Sequence, residues 1–209
     1  MDHNAAAVAL FDKLANQYQA KYMQQEQYHA SFDAFCRRVA KPNPAILEIA
    51  CGPGNITQYL LGQRPDFRLL GIDLAPNMLA LARQNNPTVE FQLLDGRNIS
   101  QLGRQYDAIM CGFFLPYLSK EEAVKLIHDA AVLLTEDGTL YISTMEDDYS
   151  KSGLQYSSSG EALYMYFHQA DYLLEALTES GFRNIKVQRL TTPGQNGAVT
   201  TDLLILAGK

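Results

Sequence analysis

The stretch from Ile46 to Thr57, Ile-Leu-Glu-Ile-Ala-Cys-Gly-Pro-Gly-Asn-Ile-Thr, constrains the fold of this chain more than any other. A short apolar run ends in two glycines, Gly52 and Gly54, and residues that can begin a helix follow at once. This is the layout of a buried parallel strand that turns tightly into a helix, where nucleotide-like ligands bind in open α/β folds. Asp73 ends the next apolar run, about 20 residues on, where a ribose-binding carboxylate is expected. The pattern predicts an adenosine-containing cofactor, while Thr57, in the place of a third glycine, argues against NAD.

The rest of the chain continues an alternation of strands and helices. Five strands are predicted at 45–51, 67–73, 88–94, 106–112 and 138–145, with helices at 55–64, 76–86 and 119–134. A helix at 168–180 precedes two last strands, 183–190 and 199–207, which can pair as an antiparallel hairpin through the turn-rich segment 192–197. The elements predict an α/β fold: a Rossmann-like three-layer sandwich around a seven-stranded, mostly parallel sheet with the last strand antiparallel.

Composition narrows the classes of function. The net charge of −6 argues against nucleic acid as a partner, because phosphate binding needs clustered lysines and arginines. Cys36, Cys51 and Cys111 have no metal-ligand spacing, so we expect no metal and a reducing, cytoplasmic location. No apolar run approaches the about 20 residues needed to span a bilayer, and the N-terminus does not read as a signal peptide, so no membrane partner is expected.

Chemically distinctive residues follow four of the predicted strands. Glu48 and the glycine turn belong to the first strand, Asp73 ends the second, Asp95-Gly96 follows the third, and Cys111 to Phe114 ends the fourth. The carboxyl ends of parallel strands lie along one edge of a sheet, where ligands of open α/β folds bind. The four strand ends together therefore predict one ligand site at that edge.

These segments resemble the class I S-adenosylmethionine-dependent methyltransferases, especially those with small-molecule substrates. The family pattern "hLDhGCGxG" is similar to Ile46–Gly54, and the resemblance runs from about Phe11 to the C-terminus. Further similar segments are Phe11–Tyr18, Leu70–Leu79, Phe91–Gly96, Tyr106–Leu118 and Leu133–Ile142. The resemblance implies methyl transfer from S-adenosylmethionine to a small-molecule acceptor by in-line displacement, driven mainly by proximity and alignment.

The resemblance also implies roles for individual residues. Asp73 would accept from both ribose hydroxyls and Asp95 from the adenine amino group, while Tyr18 would reach the methionyl end of the cofactor from a helical lid. The implied cofactor-binding set is Tyr18, Glu48, Ala50, Cys51, Gly52, Gly54, Asp73, Leu74, Met78, Asp95, Gly96 and Cys111. For Glu48, a structural pairing inside the strand is an equal alternative.

The substrate side is less clearly defined by the sequence. The predicted substrate-binding residues are Phe113, Phe114, Tyr117 and Tyr149. His168 is the candidate general base, because the N-terminus of a helix lowers the pKa of a histidine, although a role as a cap or lid residue competes with it. The fourth segment lacks the Asn-Pro-Pro-Tyr signature of amide and adenine N-methylation, so it does not identify the acceptor.

We predict a single domain over residues 1–209, acting as a monomer or a homodimer. It comprises a helical lid (5–40), a cofactor-binding core (45–145), a variable substrate-side segment (146–168) and a C-terminal helix with a strand pair (169–209). Two other functions stay open. One is an NAD-linked oxidoreductase, weakened by Thr57, and the other is a non-catalytic S-adenosylmethionine-binding or regulatory module on the same fold.

Overall fold

A computed structural model describes residues 2–156, 160–193 and 199–209 of the chain. Its strands are β1 (Ala45–Ile49), β2 (Arg68–Asp73), β3 (Glu90–Leu93), β4 (Tyr106–Cys111), β5 (Leu134–Glu146), β6 (Gly153–Tyr156), β7 (Ala162–Met165), β8 (Arg183–Pro193) and β9 (Val199–Gly208). Its α-helices are α1 (His3–Lys13), α2 (Ala15–Tyr22), α3 (His29–Arg38), α4 (Asn55–Gln63), α5 (Pro76–Asn85), α6 (Lys120–Leu133) and α7 (Ala170–Glu179). Residues 194–197 of the predicted turn and 157–159 of the variable segment lie outside the described residues.

A seven-stranded sheet in the order β3-β2-β1-β4-β5-β9-β8 forms the centre of the molecule. Strands β1 to β5 pair in parallel, while β9 runs antiparallel to both of its neighbours, β5 and β8. The predicted fold class, with the last strand antiparallel, is therefore confirmed, and so is the hairpin of the last two strands at the sheet edge.

Helices cover both faces of the sheet, because its central strands are apolar on both sides. Helices α6 and α7 pack on one face through side chains such as Ile127 and Leu173, which are fully buried. Helices α3 and α4 pack on the other face through Phe35 and Leu60, which are equally buried. Parallel strands enclosed in this way read as continuous hydrophobic runs, and this is how the sequence revealed them.

Two predicted segments have more structure than the sequence indicated. The lid at 5–40 is three helices rather than one, with breaks at Leu14 and at residues 23–28. The variable segment contains the antiparallel hairpin of β6 and β7, whose strands are too short and too exposed to show a clear apolar alternation.

No helix in the described part of the chain is both long enough and apolar enough to cross a bilayer.

Candidate functional site

The carboxyl ends of the central strands open into a narrow cavity of about 100 Å³ beneath α1. Eight of the predicted cofactor-binding residues line it: Tyr18, Ala50, Gly52, Asp73, Leu74, Met78, Asp95 and Gly96. Cys51 lines a larger cavity next to it, whereas Glu48, Gly54 and Cys111 line neither. The sheet edge thus brings together residues that lie far apart in the sequence.

Asp73 braces the glycine turn. One of its carboxylate oxygens accepts a hydrogen bond from the backbone N–H of Gly52 at 2.8 Å, and the other accepts from the N–H of Ala75, also at 2.8 Å. Burial raises the pKa of this carboxyl, and the two N–H donors oppose the shift because they favour the charged form. The carboxylate is therefore fixed in place while it faces the cavity.

The two glycines of the turn have different tasks. Gly52 lines the cavity with φ at +53°, and a Cβ there would lie 3.9 Å from Cε1 of Tyr18. Gly54 has φ at +77°, and a Cβ there would lie 2.5 Å from Nδ2 of Asn86 and 3.3 Å from Cα of Ala82. Gly52 thus keeps the space beside the cavity clear, whereas Gly54 permits close packing of α4 on α5.

Two residues other than glycine hold a left-handed backbone at this edge. Ala50 and Phe113 both have φ at +53°, and they follow the neighbouring strands β1 and β4. Ser143 on β5 holds Phe113, since its backbone carbonyl and its hydroxyl both accept from the Phe113 N–H, at 3.2 and 3.0 Å. Such strain costs about 1–3 kcal/mol per residue and is concentrated at functional sites. No sequence pattern predicts this left-handed backbone at Ala50 or Phe113.

Asp95 is held by Arg97, a residue that the sequence did not single out. The guanidinium of Arg97 contacts the Asp95 carboxylate at 2.7 Å. It also reaches Glu122 and Asp2, each at 3.2 Å. Asp2 is the N-cap of α1, so Arg97 connects the cavity to α1, the first helix of the predicted lid.

A second contact joins α1 to α5. Ala75, before Pro76, supplies no side-chain cap to α5. Instead Asp12 of α1 accepts from the backbone N–H of Asn77 at 2.7 Å, within the first turn of α5. This replacement cap links helices that are far apart in the sequence, and sequence patterns therefore miss it.

Aromatic rings close the roof of the cavity. Phe11 of α1 contacts Tyr18 edge-on at 5.6 Å and Tyr117 edge-on at 5.1 Å between ring centres. All three rings line the narrow cavity and the larger one beside it. They form a common apolar wall at the junction of the two spaces.

The second cavity measures about 500 Å³ and lies against α2, the β6–β7 hairpin and the start of β9. Of the predicted substrate residues, Phe113 and Tyr117 line both cavities and Phe114 lines the narrow one. Tyr149 lines neither, and its hydroxyl instead accepts from the backbone N–H of Lys120 at 3.3 Å. The structure thus places two of the four predicted substrate residues at the junction and a third, Phe114, in the narrow cavity alone.

His168 lies in the interior, outside both cavities. Its Nε2 lies 2.8 Å from the Leu115 carbonyl, and its Nδ1 contacts the hydroxyl of Tyr172. Burial lowers the pKa of His168 to about 4, so the ring is neutral at pH 7 and Nε2–H donates to Leu115. The ring therefore packs between Leu115 and Tyr172 of α7 and faces neither cavity, so the general-base role, like the cap or lid role, stays a prediction.

Glu48 is buried behind the glycine turn. The hydroxyl of Thr57 donates to its Oε2 at 2.5 Å, and its Oε1 has no hydrogen-bond partner among the described residues. Burial raises the pKa of Glu48 to about 8, so the carboxyl is largely protonated at pH 7. Thr57, the departure from the dinucleotide pattern, is therefore the partner of Glu48.

The described residues contain no group of three or more histidine, cysteine or acidic side chains that is arranged to hold a metal ion. Cys36, Cys51 and Cys111 are free and buried. Burial raises the pKa of all three thiols, which keeps them protonated and unreactive.

Comparison with known proteins agrees with this geometry. Residues 46–138 match the family model described as a methyltransferase domain. The malonyl-acyl-carrier-protein O-methyltransferase of Bacillus anthracis is 32% identical over 146 residues, which cover 68% of this chain and 50% of that protein. The ubiquinone biosynthesis O-methyltransferase of Xanthomonas campestris is 26% identical over 144 residues, covering 65% and 59%. The chain thus spans about half of the length of these curated relatives.

Solved structures share the whole fold. The 1,6-didemethyltoxoflavin-N1-methyltransferase of Burkholderia thailandensis, solved with 1,6-didemethyltoxoflavin and S-adenosylhomocysteine, superposes with a TM-score of 0.71 at 21% identity. The superposition covers 100% of this chain and 90% of that one. At this identity the likeness shows a common fold.

Proposed function

Because the chain belongs to the class I S-adenosylmethionine-dependent methyltransferases, we propose that it transfers a methyl group from S-adenosylmethionine to a small-molecule acceptor. The observation that carries the proposal is the contact between Asp73 and Gly52 at the edge of the narrow cavity. It fixes a carboxylate beside a turn that lacks a side chain, which is what a ribose with an adjoining chain requires.

The residues at this edge suit the cofactor. Asp73 offers carboxylate oxygens to the ribose hydroxyls, and Leu74 and Met78 offer apolar contact to the adenine. Asp95 lines the same cavity and accepts hydrogen bonds, as an exocyclic amine requires. Gly52 leaves room beside Tyr18 that a Cβ would fill, so the methionyl end has a place to lie. When bound, S-adenosylmethionine supplies a methyl group on a positively charged sulfur, with a good leaving group already attached.

The protein then has to align the acceptor and exclude water. The two cavities share the backbone around Ala50, Gly52, Gly112 and Phe113, so the reacting atoms would meet there. The strained backbone at Ala50 and Phe113 fixes this junction. The rings of Phe11 and Tyr117 cover it, which keeps solvent away from the transfer. The cavity of about 500 Å³ has the size of a small-molecule site.

Two measurements test the proposal. Titration calorimetry with S-adenosylhomocysteine should show one site per chain, and methyl-labelled S-adenosylmethionine mixed with cell-extract metabolites should yield a labelled low-molecular-weight product. NAD titrated in the same way is the control and should give no heat. Nicotinamide absorbance in the purified protein would contradict the proposal. Tight S-adenosylhomocysteine binding without any labelled product would instead favour a non-catalytic, cofactor-binding module.

A further inference from the structure

The larger cavity contains a carboxylate that the proposed function does not use. Asp202 lies near the start of β9 and is half-buried at the cavity wall. Alternation along the strand places it on the same face as Leu204 and Leu206, which pack with the aromatic residues of α3. An acidic residue continues an apolar face at the point where that face meets the cavity.

Tyr28 holds this carboxylate in one position. Its hydroxyl donates to Oδ2 of Asp202 at 2.7 Å, and its ring lies 5.0 Å from that of Phe113. Phe113 is at the junction of the two cavities, so Tyr28 connects Asp202 to the place where transfer would occur. Burial raises the pKa of Asp202, and the Tyr28 hydrogen bond opposes that shift. A half-buried carboxylate with one oxygen engaged favours a ligand that donates to the other.

The other charges on the wall do not balance this one. The charged residues among the described lining are Lys21, Glu161 and Asp202, and none is an arginine. Lys21 is exposed, with its ammonium 4.9 Å from the centre of the Tyr22 ring, and Glu161 pairs with Lys13 at 3.1 Å. Among its described residues the wall therefore has no arginine to pair with an acidic group, and it presents the negative charge of Asp202 instead.

We propose that Asp202, held by Tyr28, is a specificity-determining residue of the acceptor site, which takes an apolar or aromatic acceptor bearing an N–H or O–H donor and rejects carboxylates. The aromatic and thioether side chains around it, Tyr22, Tyr28, Phe113, Met145 and Met165, supply the surface on which such a ring packs. This inference rests on the proposed function for the adjoining cofactor cavity, but it concerns only the acceptor side.

Three probes with the same ring system test the inference: 2-naphthol, 2-aminonaphthalene and 2-naphthoate. Their binding to the wild-type protein is measured by titration calorimetry, with and without saturating S-adenosylhomocysteine. We expect the hydroxyl and amino probes to bind at least about tenfold more tightly than the carboxylate. Equal or tighter binding of 2-naphthoate would overturn the inference, and so would the failure of all three probes to bind at millimolar concentration.

Substitutions locate the effect. We expect Asp202→Asn and Tyr28→Phe to weaken 2-naphthol binding about tenfold or more while S-adenosylhomocysteine affinity is unchanged. Asp202→Asn should also reduce the difference in affinity between 2-naphthol and 2-naphthoate. Glu146→Gln is the matched control, because Glu146 lies opposite Thr201 in the sheet, outside the cavity lining, and pairs with Arg189 at 2.8 Å. Thermal melts confirm that each variant is folded. Unchanged probe affinity in a folded Asp202→Asn protein would remove Asp202 from the site. If the wild-type protein does not bind S-adenosylhomocysteine, that result counts against the proposed cofactor site and not against the acceptor site.

Discussion

At the scale of single residues, the departures from a familiar pattern proved as informative as the matches. Thr57 argued against a dinucleotide because it replaces a glycine, and the structure gives it a positive task as the hydroxyl partner of Glu48. Glu48 was predicted to serve the cofactor or to pair within the protein, and its contacts favour the pairing. Its Oε1, which has no partner within the described part of the chain, leaves a buried polar atom on β1, and such an atom is costly.

Glu48 should make the stability of the fold depend on pH. The folded-state pKa is raised to about 8 from an ordinary value of 4.5, so the folded protein retains a proton that the unfolded chain releases between these values. The stabilisation of the fold by this retained proton is fully present below about pH 4.5 and is lost as pH rises through about 8. The free energy of unfolding should fall by up to about 1.4 kcal/mol per pH unit in this window.

Urea denaturation at pH 5, 6, 7 and 8 measures this dependence against Glu48→Gln. The amide keeps an oxygen for the Thr57 hydroxyl but carries no titrating proton, so the difference in slope isolates Glu48. Parallel pH profiles for the two proteins would show that Glu48 does not titrate in this range.

Asp73→Ala should weaken S-adenosylhomocysteine binding by about 1–3 kcal/mol, through the loss of contacts to the ribose and of support for the Gly52 N–H. Asp107→Ala is the matched control. Asp107 also accepts from a backbone N–H at 2.8 Å, that of Ala45, but at the opposite end of the sheet. Calorimetry should find wild-type affinity in the control, and wild-type affinity in Asp73→Ala would exclude Asp73 from the site.

At the scale of elements, charged side chains join α1, the first helix of the predicted lid, to the rest of the molecule. Asp12 of α1 caps α5, and Asp2 at the start of α1 pairs with Arg97 beside the cavity. The narrow cavity of about 100 Å³ is smaller than the ligand sites of about 300–1,000 Å³ that are usual in proteins. Because α1 forms part of its roof, we expect α1 to move when a cofactor enters, and these contacts oppose that movement.

Asp12→Ala should release the lid. Loss of the cap should cost about 1 kcal/mol and make amide hydrogen exchange in α1 about fivefold faster, since the local opening becomes easier by that amount. Ser119→Ala is the matched control, because Ser119 caps α6 through the Glu122 N–H at 3.2 Å and lies in another helix. It should lower stability by a similar amount and leave exchange in α1 unchanged. Equal exchange in α1 for both variants would show that Asp12 does not fasten the lid.

At the scale of the whole molecule, the sequence predicted the sheet well and the cavities poorly. Strands such as β1 and β4 are buried on both faces and therefore appear in the sequence as continuous apolar runs. The positions of Asp73 and Asp95 at the cavity followed from their places at the carboxyl ends of predicted parallel strands. Asp202, Arg97 and Asp12 were missed, because their roles depend on which surfaces meet in space.

Cofactor binding should stabilise the entire fold, since one site connects the lid, the sheet and the glycine turn. At 100 times its dissociation constant, S-adenosylhomocysteine should add about 2.7 kcal/mol and raise Tm by about 5–11 °C. Differential scanning fluorimetry measures the shift, with NAD at the same concentration as the control. A shift with NAD in place of S-adenosylhomocysteine would support the oxidoreductase alternative.

The position of β9 has a consequence for the synthesis of this protein. It lies between β5 and β8 in the sheet, although both precede it along the chain. On the ribosome, β5 and β8 emerge first. Each keeps an edge with unpaired backbone hydrogen-bonding groups until β9, the strand that joins them, is translated. The larger cavity is completed at the same step, because Asp202 in its lining is on β9. The glycine turn of a nascent chain can therefore form early, whereas the larger cavity forms last. Until β9 is translated, the open edges of β5 and β8 are exposed to aggregation.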